Sequence, residues 1–267
     1  MNVLVSNTGM LLVTAVLLSL LSAGPQARIT LATELHKHGV VPTGRLDDLD
    51  REITSYAVAS DESWFAIAYY WHTDSDLLPP ELRVRTLDRR TDTWRSTVLD
   101  PNKVKGGSAL RIARRPGFVY LDLHVNPSAG RIVVLSEDLK VQRSLDGWSS
   151  LILQDGRVLY RNSMVHFAPA HPGSVSLYDP RSGAAVGVYP LTPDPASGAE
   201  FVDRRIGTIE MAGPTQIRMA VSEQNVKLGP DNKGVPVGVA RDATVTCDIS
   251  KPTPVCVVQP KEKGRQN

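Results

Sequence analysis

Four stretches of the chain share one outline, and their spacing is nearly constant. "LRVRTLDRRTDTWRSTVL" (82–99), "RIVVLSEDLKVQRS" (131–144), "SVSLYDPRSGAAVGVYPL" (174–191) and "IRMAVSEQNVKLG" (217–229) each begin with β-favouring residues. Each then enters a polar turn opened by an acidic residue and resumes with a second β-favouring run. The acidic markers Asp88, Glu137, Asp179 and Glu223 lie 49, 42 and 44 residues apart. A unit recurring at such a period cannot cover its own apolar faces and must pack against its neighbours.

Ahead of the first three markers stands a second recurring unit. "YAVASDESWFAIAYYW" (56–71), "LRIARRPGFVYLDLHV" (110–125) and "LILQDGRVLYRN" (151–162) each read strand, tight turn, strand. Their turns fall at Asp61-Glu62, Pro116-Gly117 and Asp155-Gly156, and Asp-Gly is a strong hairpin signal. Each repeat therefore predicts two successive hairpins, or four short antiparallel strands. Helical periodicity is absent after residue 50, and "TELHKHG" (33–39) predicts at most one helical turn.

Four strands per roughly 40–50 residues is the period of a propeller blade, and over about residues 50–250 the chain resembles β-propeller proteins. The resemblance is architectural. The Trp-Asp dipeptide of the WD40 class is absent, and "LDRRTDTW" (87–94) and "SLDGW" (144–148) are similar to the Asp-box turns of sialidase-like propellers without keeping their spacing. The expected fold is thus all-β and propeller-like, with four or five blades of four antiparallel strands, in a single domain spanning 24–260. A fifth blade arises if "ARITLATEL" (27–35) supplies a strand to the C-terminal repeat. The alternative fold is a β-sandwich, which also uses short strands at regular spacing.

The N-terminus speaks for export. "MLLVTAVLLSLLSA" (10–23) is an apolar run followed by Gly24-Pro25, of signal-peptide length and short for a span of roughly 20 residues. Residues 1–23 are read as a signal peptide, with an uncleaved N-terminal membrane anchor as the alternative; no later segment reads as a transmembrane helix. The expected location is periplasmic or extracellular, and 261–267 reads as a disordered tail. In an oxidising compartment Cys247 and Cys256, which bracket eight residues in "TVTCDISKPTPVC", are expected to staple a hairpin. Closing so short a loop stabilises by roughly 2.5–3 kcal/mol in the chain-entropy treatment. The spacing matches no zinc or redox motif.

A formal net charge of +2 gives no reason to expect a nucleic-acid partner. The local arginines 83, 85, 89, 90 and 95, interleaved with Asp88 and Asp92, are expected on a solvated strand face. Trp64, Phe65, Tyr69, Tyr70 and Trp71 are expected in the core. No nucleophile elbow, zinc-protease helix, phosphate-binding glycine loop or C-x-x-C pair is present, and no cofactor is implied.

What chemistry there is must come from residues scattered over the repeats. His72, Asp74, Asp76, His166 and His171 fall in connections between strands, and His124 at the close of one. Imidazoles and carboxylates converging on one face would suit a divalent metal, although no metal ligand set is assigned. Asp122 and Glu210 interrupt apolar strands, as an acid–base pair of a glycosidase would; such a pair needs carboxyls about 5–9.5 Å apart. The reading these features favour is a non-catalytic binding protein that presents loops to a protein, glycan or small ligand. The alternative is an extracytoplasmic hydrolase with carboxylates or a metal in a central funnel.

Overall fold

The computed structural model describes residues 29–42, 46–71, 81–100, 104, 108–126, 129–162, 173–189, 198–230 and 233–261. The expected signal peptide and the tail beyond residue 261 lie outside them. The chain divides into two compact units, 1–53 and 54–267.

The first unit holds helix α1 (Leu31–Lys37), which is longer than the single turn expected at 33–39 and takes up most of the stretch 27–35 that a fifth blade would have used as a strand. The Thr30 side chain caps it by accepting from the Thr33 amide at 3.2 Å. Leu31 and Leu35, one helical turn apart, are both fully buried. Apolar spacing over so few residues fits a strand or a helix equally, and the cap decides for the helix. Among the described residues no helix is long and apolar enough to cross a membrane.

The second unit is a succession of antiparallel meanders. Strands β1 (Ile53–Ser60), β2 (Trp64–Trp71), β3 (Glu81–Asp88) and β4 (Thr93–Leu99) form one sheet in chain order. The next sheet runs through β5 (Ser108–Arg115), β6 (Phe118–Asn126), β7 (Ala129–Ser136), β8 (Val141–Ile152), β9 (Val158–Asn162), β10 (Val175–Tyr178) and β11 (Ala185–Gly187). It is two four-stranded blades sharing β8, which pairs with β7 up to Asp146 and with β9 from Gly147 onward. At that corner a Cβ on Gly147 would stand 2.1 Å from the Arg161 carbonyl oxygen, so only glycine lets the two strands come together. The last blade is β12 (Phe201–Gly213), β13 (Gln216–Leu228), β14 (Gly234–Asp248) and β15 (Val255–Pro260).

The architecture is all-β in this unit and propeller-like, with four blades among the described residues. Each strand pairs with its sequence neighbour, without the crossed connections of a Greek-key sandwich. Consecutive blades pack face to face. Trp64, Ala66, Ala68 and Tyr70 of the first meet Ile112, Leu121 and Leu135 of the second. Tyr120, Ile132 and Val134 of the second meet Val158, Tyr160 and Tyr178 of the third. Leu159, Val175 and Leu177 of the third meet Ile217, Met219 and Val245 of the fourth. All eight residues of β2 are buried, so the aromatic stretch is core as expected.

The acidic markers have a local cause at the turns. Asp88 Oδ1 accepts from the Arg90 amide at 3.0 Å and Asp179 Oδ1 from the Arg181 amide at 2.9 Å. Asp61, Asp155 and Asp248 make the same contact with the amide two residues on. Such Asx turns hold a tight reversal without help from distant residues. Glu223 departs from the expected pattern. It lies inside the single long strand β13, opposite Arg204 of β12, and opens no turn.

The expected solvated arginine face holds for Arg90 and Arg95, which are exposed, but not for Arg85 or Arg83. Arg85 is 4% exposed and donates from Nε to the Tyr69 hydroxyl at 2.8 Å. The Arg83 guanidinium lies 3.6 Å from the Trp71 ring centre. A hydroxyl and an aromatic face offset the loss of water that a charge-pattern reading cannot foresee.

Candidate functional site

Where β8 passes from one blade to the next, its residues turn toward β9 and β12 and leave a cleft of about 810 Å³. Trp148, Ser149 and Ser150 come from β8, Arg161 and Asn162 from β9, residues 203–206 and 208–209 from β12, and Gly173 and Ser174 from just ahead of β10. The five-membered ring of Trp148 lies over Gly130, where a Cβ would approach Nε1 to 2.5 Å. The indole therefore packs closely on a glycine of the neighbouring strand β7.

The polar groups of the cleft fall into two kinds. Some are tied down by the fold. Arg204 donates from Nε to Glu223 at 2.6 Å and from Nη1 to the Tyr189 carbonyl at 2.6 Å, with its guanidinium 4.1 Å from the Tyr189 ring centre. The Asn162 amide donates to Ser174 Oγ at 2.6 Å. Arg161 is different. It donates to the Gly207 carbonyl, burial lowers its pKa, and no carboxylate among the described residues pairs with it.

Ser149 links the cleft to a buried carboxylate. Asp122, on β6, is 7% exposed. Its Oδ2 accepts from Ser149 Oγ and lies 3.2 Å from Arg111 Nε, while Arg111 also donates to Ser149 Oγ. Asp122 Oδ1 has no hydrogen-bond partner among the described residues. Burial raises the Asp122 pKa, and the Ser149 hydroxyl and Arg111 charge only moderate the rise.

The folded state holds the Asp122 proton more tightly than the unfolded state, so this group opposes folding once pH passes its raised folded value. Relative to an Asp122→Asn variant, the wild type should lose stability as pH rises from the ordinary carboxylate value of 3.8 through that raised value, and then level off. Urea midpoints of both proteins between pH 3 and 8 give the test. A difference that stays flat, or grows in the wild type's favour, contradicts the burial argument.

The other expected site residues are placed as follows. Glu210 is exposed on the face of β12 opposite to Ile209, which packs toward the third blade, and it pairs with Arg218 at 3.6 Å. It therefore does not join Asp122 in a carboxylate pair. His124 lies two residues from Asp122 on the same face of β6, opposite Gly130 of β7. His72, Asp74, Asp76, His166 and His171 lie outside the described residues. Among the described residues no three His, Cys, Asp or Glu side chains cluster as a metal site.

The residues that line the cleft were not singled out from sequence. Trp148 stands in the "SLDGW" turn-like stretch and Arg161 interrupts an apolar strand in "VLYRN", but neither signal separates a site from a surface. Gly147 beside Trp148 is the local hint that backbones approach closely there.

No family model matches the chain, and no curated protein matches it. Solved structures similar to it include a GH43_1 enzyme from Xanthomonas citri, at 10% identity and TM-score 0.31, covering 79% of this chain and 87% of that one. The β-propeller domain of the Trilobed protease from Pyrococcus furiosus is similar at 11% identity and TM-score 0.36, over 80% and 73% of the two chains. The mannose phosphorylase MPT-4 from Leishmania mexicana is similar at 9% identity and TM-score 0.29, over 78% and 68%. At these TM-scores the likenesses carry no weight for function, and the propeller-like assignment rests on the sheets themselves.

Proposed function

We propose that the protein is an exported, non-catalytic binding module whose ligand seat is the cleft between β8–β9 and β12. The observation that carries this reading is the cleft's lining. It joins an aromatic ring fixed by Gly130 to hydroxyl groups and a guanidinium that has no carboxylate partner among the described residues. A concave site with one aromatic surface and a few convergent polar groups is the usual form of a small-ligand site. The apolar run 10–23 and the Cys247–Cys256 disulfide support export.

One observation favours the hydrolase alternative. Asp122 is a buried carboxylate whose pKa is raised, the property a general acid needs. Against it, Glu210 faces away, and binding needs no second carboxylate.

A thermal-shift panel of small sugars, sugar acids and carboxylic acids tests the binding reading. A ligand at a hundredfold excess over its dissociation constant stabilises by about 2.7 kcal/mol. The shift should vanish in Trp148→Ala, whose unliganded melting curve serves as the baseline. A flat panel, or a shift that Trp148→Ala leaves intact, removes the cleft as the ligand seat. Turnover of any panel sugar that is lost in Asp122→Asn would establish the hydrolase alternative instead.

A further inference from the structure

The proposed ligand seat carries a charge that meets no counter-charge among the described residues. Arg161 lines the cleft from β9, and its guanidinium donates to a neutral carbonyl, that of Gly207. A guanidinium stays protonated at any pH at which the protein is folded, so the site holds a positive charge throughout. Neighbouring Arg204 cannot share in this role, because Glu223 and the Tyr189 carbonyl take up its donors. Arg205 adds a second cation and Asp203 the one carboxylate among the described lining residues, so with Arg204 neutralised by Glu223 the described lining is net positive.

Two further features set the shape of what fits. Trp148 presents an indole already immobilised over Gly130, so stacking a ring on it costs little further ordering. Ser150, Ser174 and Thr208 place hydroxyls around the same space, suited to a partner rich in hydroxyl groups. An apolar acid would waste those hydroxyls, and a neutral sugar would leave the Arg161 charge unmet.

We infer that the cleft takes an acidic sugar, with the ring laid on Trp148 and the carboxylate received by the Arg161 guanidinium. This inference rests on the cleft being the ligand seat. Arg161 matches a carboxylate because its planar fork offers two parallel N–H donors, which a lysine in the same place would not.

The test is calorimetric titration of the full chain with digalacturonate, with its methyl ester, and with inorganic phosphate. The ester keeps the rings and removes the charge, and phosphate keeps a charge without a ring. Digalacturonate should bind at least tenfold more tightly than the ester, and Arg161→Gln should lower its affinity roughly tenfold to a hundredfold. Arg161→Lys, which preserves charge, should recover only part of the loss, and Trp148→Ala should weaken acid and ester alike.

Equal affinity for acid and ester, both dependent on Trp148, would overturn the acid preference while leaving the cleft as the binding site. Phosphate binding as tightly as digalacturonate would overturn the sugar and leave a plain anion site. Binding by none of the three probes would overturn the inference, and the thermal-shift panel then decides separately whether the cleft binds anything. The melting curves of the variants keep these outcomes apart from simple unfolding.

Discussion

Replacing Arg204 with methionine should destabilise the protein by about 3 kcal/mol, enough to lower the melting temperature by roughly 6–12 °C. The side chain is 3% exposed, and three of its contacts lie at 2.5–2.6 Å: two to Glu223 and one to the Tyr189 carbonyl. Methionine fills much of the volume, so the loss comes from the partners. The Tyr189 carbonyl is left without its donor, and Glu223 must find water from a position that is 27% exposed. That partial exposure places the estimate at the lower end of the range for a broken buried pair. A double variant, Arg204→Met with Glu223→Gln, should recover a measurable part of the loss, because the uncompensated charge is gone. A single variant within 1 kcal/mol of wild type would mean that the pair contributes specificity rather than stability.

Replacing both Cys247 and Cys256 with alanine should cost about 2.5–3 kcal/mol, and a reducing agent should shift the wild type by a similar amount. The two residues stand directly opposite each other on β14 and β15, with Cα atoms 4.0 Å apart. The bridge closes a sequence separation of nine residues, so its contribution to restraining the unfolded chain is modest. Its position adds to that. Cys247 is fully buried among Ile217, Met219 and Val245, and Cys256 packs against the same cluster, which joins the third and fourth blades. β15 is an edge strand with Val255, Val257 and Val258 exposed, so its pairing partner β14 and the bridge are its main anchors. The double variant should therefore also show faster amide exchange along β15 than along β13. Uniform exchange across the blade, with no loss of stability, would show the staple to be redundant.

Much of the blade pattern was legible in the sequence because it is written in turns. Asp61, Asp88, Asp155 and Asp179 each bond an amide two residues away, and Gly117 and Gly156 take positive φ at the tips they were expected to occupy. These contacts span a few residues, so the residues that make them are visible together in any short window. The cysteine staple was legible for the same reason.

The misreadings share the opposite property. Glu223 resembled a turn marker in outline, but its role is set by Arg204, 19 residues earlier on the neighbouring strand. Arg85 resembled a solvated charge until Tyr69, 16 residues before it, supplied a buried hydroxyl. Residues 31–37 became helical through a cap and two leucines whose spacing also suits a strand.

The candidate site lies wholly on that second side. Asp122 was visible as an acid in an apolar strand, but what makes it a buried group is Ser149, 27 residues on, and Arg111, brought opposite it by strand register. Arg161 and Trp148 come together only because β8 hands over from one blade to the next at Gly147. The sequence by itself determined the repeat, the hairpin turns and the staple, since each depends on contacts within a few residues along the chain. Which charges are buried, which are neutralised and where a cleft opens was decided by tertiary structure alone, because desolvation and ion pairing depend on neighbours that only packing brings together.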